Sequence, residues 1–276
     1  MKYPPNKIFI PVMTIAGSDN SGGAGIQADL KTFMAHGCYG LSAIAAITAQ
    51  NNRQFKMFEA VSPELIYEQI KTAVEQSKPQ STKTGMLATH KNIEAVCRAI
   101  KEFDLQKIVI DPVLKSSTGN DLTTNDYAAY MATLKNQLIP PAFAITPNKM
   151  EAELLTGIII ESYDDAQKAA KRIYEMGVQN VIIKGGHLDF DQNESIDILY
   201  NGKTFTRFTA KKINEKLNTG SFHGTGCTFS AALCAYLALG FEIEKAAERA
   251  KKYTLQAMKD RLPDAPPGLL NHDFKS

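Results

Sequence analysis

The chain has 276 residues, of which 44% are hydrophobic, and a formal net charge of +2. That content supports a sizeable buried core and excludes a disordered chain, and with charge so nearly balanced and no Lys/Arg run interleaved with aromatics it gives neither nucleic acid nor a membrane surface a basis as partner. No stretch approaches the length of a membrane span and the start, "MKYPPNKIFIPVMTIAG", lacks a signal-peptide layout, so a cytoplasmic protein acting on a small molecule is expected.

In chain order, "IFIPVMTIAG", "LSAIAAITAQ", "IVIDPV", "AFAITPN" and "NVIIKGG" predict buried strands, each too apolar to have one wet face. Between them "GIQADLKTFMAHG", "SPELIYEQIKTAVEQ", "HKNIEAVCRAIKEF", "NDYAAYMATLKNQL" and "YDDAQKAAKRIYEMG" carry helical spacing. Strands alternating with helices imply parallel β-α-β units and an α/β, doubly wound sheet. Without a composition break or Gly/Ser linker, residues 1–276 are expected to form a single domain. "IDILYNGKTFTRFTA" stands apart, because Asn201-Gly202 between two alternating runs predicts a hairpin at a sheet edge.

The stretch "HGTGCTFSAALCAYLALG" predicts one further helix, starting near Cys227 and stopped by Gly240, with the Thr225 hydroxyl as its cap. The free amides and positive dipole end of such a helix attract anions. Cys38, Cys97, Cys227 and Cys234 form no C-x-x-C pair and no zinc spacing with the five histidines, so reduced thiols are expected.

In open α/β sheets ligands gather at the carboxyl ends of the strands. The polar residues there are Gly17, Ser18 and Asp19, then Gln50, Asp111, Asn148 with Glu151, and Lys184. Gly202-Lys203-Thr204 imitates a P-loop tail, but Asp197 stands where the leading glycine is needed. Gly23-Ala24-Gly25-Ile26-Gln27-Ala28 matches the dinucleotide pattern, yet Ala43 to Asn52 offers no acid for a ribose, so an NAD-dependent oxidoreductase is a distant alternative.

Five stretches, "TIAGSDNSGGAGIQADLKTF", "KTGML", "ITPNKMEAELL", "VIIKGGH" and "HGTGCTFSAAL", occur in order and together resemble the hydroxymethylpyrimidine and phosphomethylpyrimidine kinases of thiamine biosynthesis, within the ribokinase-like fold. The resemblance implies a central, mostly parallel sheet of roughly eight strands between helices, with a small β hairpin edge. It implies ATP and Mg2+, with a monovalent cation as a further candidate, and a homodimer. The implied reaction phosphorylates 4-amino-5-hydroxymethyl-2-methylpyrimidine and then its monophosphate.

Carried over residue by residue, Gly224, Thr225, Gly226 and Cys227 become the anion hole. Cys227 acts on the alcohol either as a base, its pKa lowered by the helix N-terminus, or as an orienting group. Gln50, Met86 and Gly17 would meet the substrate, with Asp29 at its rim, in a dimer contact or on the solvated surface. Lys184 and Asn148 would meet the nucleotide, and Glu151 and Asp111 the metal. His223 is expected to shape its loop, and His272 to lie at the surface or a cap. The tail "PDAPPGLLNHDFKS" departs from the family's "GxGPVxH". A pyridoxal or pyridoxine kinase is the main alternative, and a non-catalytic binding module of the same fold is opposed by Cys227, Lys184 and Glu151.

Overall fold

The computed structural model describes residues 9–115, 123, 126–187, 193–213, 222–260 and 268–273. Its strands are β1 (Pro11–Asp19), β2 (Tyr39–Gln50), β3 (Phe55–Ala60), β4 (Ser81–Thr84), β5 (Ile108–Ile110), β6 (Ala144–Ile145), β7 (Val181–Ile183), β8 (Glu194–Tyr200) and β9 (Phe205–Lys211). Its helices are α1 (Gly25–Ala35), α2 (Pro63–Gln76), α3 (His90–Glu102), α4 (Tyr127–Thr133), α5 (Lys149–Thr156), α6 (Tyr163–Tyr174), α7 (Thr225–Ala238) and α8 (Ile243–Lys259).

The nine strands form one sheet in the order β3-β2-β1-β4-β5-β6-β7-β8-β9. From β2 to β7 every neighbouring pair is parallel, and β3, β8 and β9 are antiparallel additions at the two edges. Alternate strand residues go to opposite faces. Val12, Val109 and Ile182 pack with Phe33 and the side chains of α7 and α8, whereas Met13, Ile15, Ile108, Ile110, Val181 and Ile183 pack with α2 to α6. Both faces of the central strands are covered, which is why β5, β6 and β7 are apolar throughout.

The helices begin where their caps say they should. Ser62, Thr89 and Ser162 accept from Leu65 N, Asn92 N and Asp165 N at the starts of α2, α3 and α6. The segment expected to be one helix after Asp126 divides into α4 and a π-helical turn, Leu134–Leu138. The hairpin forms at β8 and β9, with the Asn201 Oδ1 accepting from Lys203 N and Thr204 N in a loop longer than a two-residue turn.

Four elements fall outside the predicted set. β4 is polar in every residue, "STKT", although all four side chains are buried, so no apolar run marks it. β3 is a partly exposed edge strand. α5 is short and lies within a stretch read for its chemistry. The buried face of α8 is built mainly of small residues, Ala246, Ala247, Ala250, Thr254 and Ala257, which give a weak apolar signal.

Candidate active site

Because β1, β2 and β4 to β7 run parallel, their carboxyl ends share one edge, and Asp19, Gln50, Gly85, Asp111, Thr146 and Lys184 end or follow those strands. The N-termini of α1, α5 and α7 reach that edge as well, each following a strand or loop that ends there.

The glycine turn before α7 is pressed against the loop after β1. Gly224 is the N-cap of α7 with φ 81°, and a side chain on it would overlap the Gly23 carbonyl oxygen. Thr225 is the first helical residue and no side chain caps this helix, so the expected hydroxyl cap is corrected: the first-turn amides stay free for a ligand. Asp19 fastens the two loops. Its carboxylate accepts from Ser21 N at 2.9 Å, Ala24 N at 2.8 Å and the Ser21 hydroxyl, and lies 2.8 Å from His223 Nε2. Burial works against that charge, but the bonds from His223 and Ser21 outweigh it and hold Asp19 at about 2. His223 therefore shapes the loop, as expected.

Lys184 and Asp111 stand beside the turn. A Cβ at Gly226 would lie 3.0 Å from Lys184 Nζ and 3.7 Å from Asp111 Oδ2. Lys184 Nζ donates to Asp111 Oδ1 at 2.8 Å, and the Ser230 hydroxyl of α7 donates to Asp111 Oδ2 at 3.2 Å. Asn148 and Glu151 close a capping box at the start of α5, with Asn148 N donating to Glu151 Oε2 at 2.8 Å and Glu151 N to Asn148 Oδ1 at 2.9 Å. The Asn148 side chain, expected near the phosphates, caps α5 through its Oδ1, which leaves its Nδ2 donors available. Burial pushes the Glu151 carboxyl up to about 7, with Lys184 drawing it down and Asp111 adding to the rise. Burial also disfavours the charge of Asp111, but Lys184 holds its pKa below the ordinary value.

Among the described residues no group of three or more His, Cys, Asp or Glu side chains is gathered for a metal. Magnesium needs only one or two carboxylates beside phosphate oxygens and water. Asp111 with Glu151, a buried carboxyl raised towards neutrality, meets that requirement.

Cys227 is half-buried in the first turn of α7. Burial pushes its thiol up to about 11, against the pull of Lys83. This corrects the expected lowering: the helix end and a nearby ammonium do not offset desolvation, and the free protein holds a thiol at neutral pH.

Asp29 lies neither at a rim nor on the surface. Its carboxylate is fully buried, accepting from Lys83 Nζ at 3.0 and 2.8 Å and from the Thr14 hydroxyl at 2.6 Å. A carboxylate with no exposed atom cannot meet a partner chain or bulk solvent. Lys83 is equally enclosed, and Asp29 keeps its ammonium charged although burial opposes it. Sequence reading gave Lys83 no role of its own, because a lysine in the polar run "STKT" carries no sign of burial.

Met86 and Gly17, two of the residues expected at the substrate, lie side by side, and Gln50 lies next to the shelf they border. A Cβ on Gly17 would lie 3.1 Å from Met86 Sδ. Met86 forms an apolar shelf with Ala46 and Ala88, backed by Phe55, Phe58 and Val113. Gln50 pairs with Phe55 at the border of this shelf.

The segment after residue 267 also reaches the site. Gly268 O accepts from His223 N at 2.9 Å, and His272 Nε2 lies 3.0 Å from the Thr228 hydroxyl. His272 is buried, which corrects its expected place at the surface and lowers its pKa to about 4.

Comparison with known proteins matches residues 19–265 to the family described as phosphomethylpyrimidine kinase. A hydroxymethylpyrimidine/phosphomethylpyrimidine kinase of Bacillus subtilis is 44% identical over 91% of this chain and 89% of its own. The crystal structure of an ADP complex of Bacillus subtilis pyridoxal kinase superposes with a TM-score of 0.83 at 37% identity, covering 95% of this chain and 98% of that one. A phosphomethylpyrimidine kinase from Clostridium difficile gives 0.76 at 40% identity over 90% and 99%. No helix among the described residues is long and apolar enough to cross a membrane.

Proposed function

The chain belongs to the phosphomethylpyrimidine kinase family of small-molecule kinases with the ribokinase-like fold, and from that premise we propose that it phosphorylates 4-amino-5-hydroxymethyl-2-methylpyrimidine and then its monophosphate, in thiamine biosynthesis. The observation that carries the reading is the placement of Lys184 Nζ beside Gly226, at the sheet edge that also holds the Met86 shelf. One region attracts phosphate and the other accepts a flat ring.

In the first step the hydroxymethyl oxygen bonds to the γ-phosphorus of ATP, the bond to the bridging oxygen breaks, and ADP leaves. In the second step a phosphate oxygen of the monophosphate is the nucleophile. The amides of Gly224, Thr225, Gly226 and Cys227 face the charge that develops on the transferring group, where fixed donors contribute most. Lys184 adds a point charge once ATP draws it from Asp111. Asp111 and Glu151 would hold magnesium, which supplies charge neutralisation on the phosphates when bound. A thiol raised to about 11 favours Cys227 as the group that orients the hydroxymethyl arm over a standing thiolate base.

Pyridoxal phosphorylation is the second reading, favoured by the 0.83 TM-score to the pyridoxal kinase complex. The homodimer draws support from the apolar side chains of Tyr39, Ile47 and Met57 exposed on β2 and β3, and is checked by sedimentation. A cytoplasmic location fits the small-molecule chemistry.

The deciding experiment measures ADP release with ATP and magnesium, offering the aminopyrimidine alcohol, its monophosphate and pyridoxal in parallel. Turnover of both pyrimidines with little on pyridoxal is the expected result. Preference for pyridoxal overturns the pyrimidine assignment, and binding without ADP formation overturns the kinase assignment.

A further inference from the structure

We propose that Thr48 is the positioning residue for ring specificity: its hydroxyl locks the amide of Gln50 so that the carbonyl oxygen faces the substrate and accepts from an exocyclic amine. The inference rests on the function proposed above and names how that site tells an aminopyrimidine from a ring without the amine.

The argument starts from proton inventory. A threonine hydroxyl has one proton to give. Thr48 Oγ1 lies 2.8 Å from the carbonyl oxygen of Ser18, which can only accept, so the proton goes there. The contact of 2.9 Å between Thr48 Oγ1 and the Gln50 amide must then have the amide nitrogen as donor. In this arrangement the amide nitrogen faces Thr48 and the carbonyl oxygen faces away from it, the orientation in which both contacts of the hydroxyl are satisfied.

What Gln50 has left is one amide proton and its oxygen, side by side. That edge complements a ring nitrogen next to an amine, the nitrogen accepting and the amine donating. The Gln50 backbone is pinned as well, its N–H donating to Asn20 Oδ1 at 2.8 Å, at a bulge between Ala49 and Gln50. Thr48 is 5% exposed and shares a strand face with Ala46, whose methyl group belongs to the Met86 shelf. The lock therefore sits inside the wall of the ring pocket. A ring offering no N–H at this place leaves Gln50 Oε1 buried without a partner, and discrimination comes from that loss.

The test is a cycle of two ligands and three proteins, read as kcat/KM. The ligands are the aminopyrimidine alcohol and the same alcohol lacking the exocyclic amine; the proteins are wild type, Thr48→Val and Thr48→Ser. In wild type, loss of the amine is expected to cost roughly 10- to 100-fold. Thr48→Val frees the amide to turn over, and the cost falls to within about threefold. Thr48→Ser keeps the hydroxyl and the wild-type cost, a rescue that a purely structural role for Thr48 would not give. Thr48→Ala carries the same expectation as valine and serves if the valine chain does not fold. An undiminished cost in both hydroxyl-free variants overturns this inference alone. Wild type that makes no ADP from the aminopyrimidine overturns the proposed function and this inference with it.

Discussion

His223 Nε2 and Asp19 Oδ2 lie 2.8 Å apart across 204 residues of sequence, and this one contact joins the loop after the first strand to the glycine turn before α7. Asp19→Asn weakens every bond the carboxylate accepts and is expected to cost about 2–4 kcal/mol in urea denaturation. The folded group sits at about 2 against its ordinary 3.8, so its stabilisation, about 2 kcal/mol, is present above pH 3.8 and lost as pH falls through about 2. An Asp19→Asn chain with wild-type stability at pH 7 refutes the fastening role.

Glu151 has the opposite sign. A carboxyl raised from 4.5 to about 7 favours the folded state while protonated, so that contribution is full below pH 4.5 and disappears as pH rises through 7. Glu151→Gln retains the capping box and removes the penalty. At pH 8 the variant is expected to be more stable than wild type by on the order of 1–3 kcal/mol, with no difference near pH 4.5, while turnover falls. Equal melting curves at both pH values disprove it.

Cys227 is expected to react with iodoacetamide about two orders of magnitude more slowly than an exposed cysteine at neutral pH, the rate climbing as pH approaches 11. Peptide mapping separates it from Cys97 and Cys234, which burial raises to about 12. Cys227→Ala should lower kcat by on the order of 100-fold and leave ATP binding largely intact. Fast alkylation at pH 7 would restore the thiolate base to consideration.

Lys83 and Asp29 form a pair with neither side chain exposed. Lys83→Met strands the carboxylate and is expected to cost about 3–5 kcal/mol, whereas the double change with Asp29→Leu recovers most of that loss. Thermal melting of the four chains reads the coupling directly, and additive losses would count against it.

The parallel core was legible because covered strands are apolar and their helices are periodic, as at Val109 and Ile182. The edge hairpin was legible from Asn201-Gly202. What escaped was polar burial. Lys83 looks like any lysine in a linear sequence, and nothing there reveals that Asp29, 54 residues earlier, will neutralise it. The same blindness put Asp29 at a rim and His272 at the surface, since burial of a charged or polar residue depends on a partner brought from elsewhere. The glycine turn was legible as a helix start, but the thiol beside it was assigned the wrong direction of shift because the helix end was weighed without the desolvation. Membership of the family located the motifs, and only the geometry showed that Lys184 is paired with Asp111 and that Asn148 caps its own helix.

The glycine turn leans on residue 19 from one end of the chain and on Gly268 from the other. Contacts of such span form late, after the loop entropy between them has been overcome. In a refolding experiment helical signal should therefore return before turnover does, and an excised piece carrying "HGTGC" alone has nothing to hold its amides in place. Activity in this protein reports that the whole chain has closed.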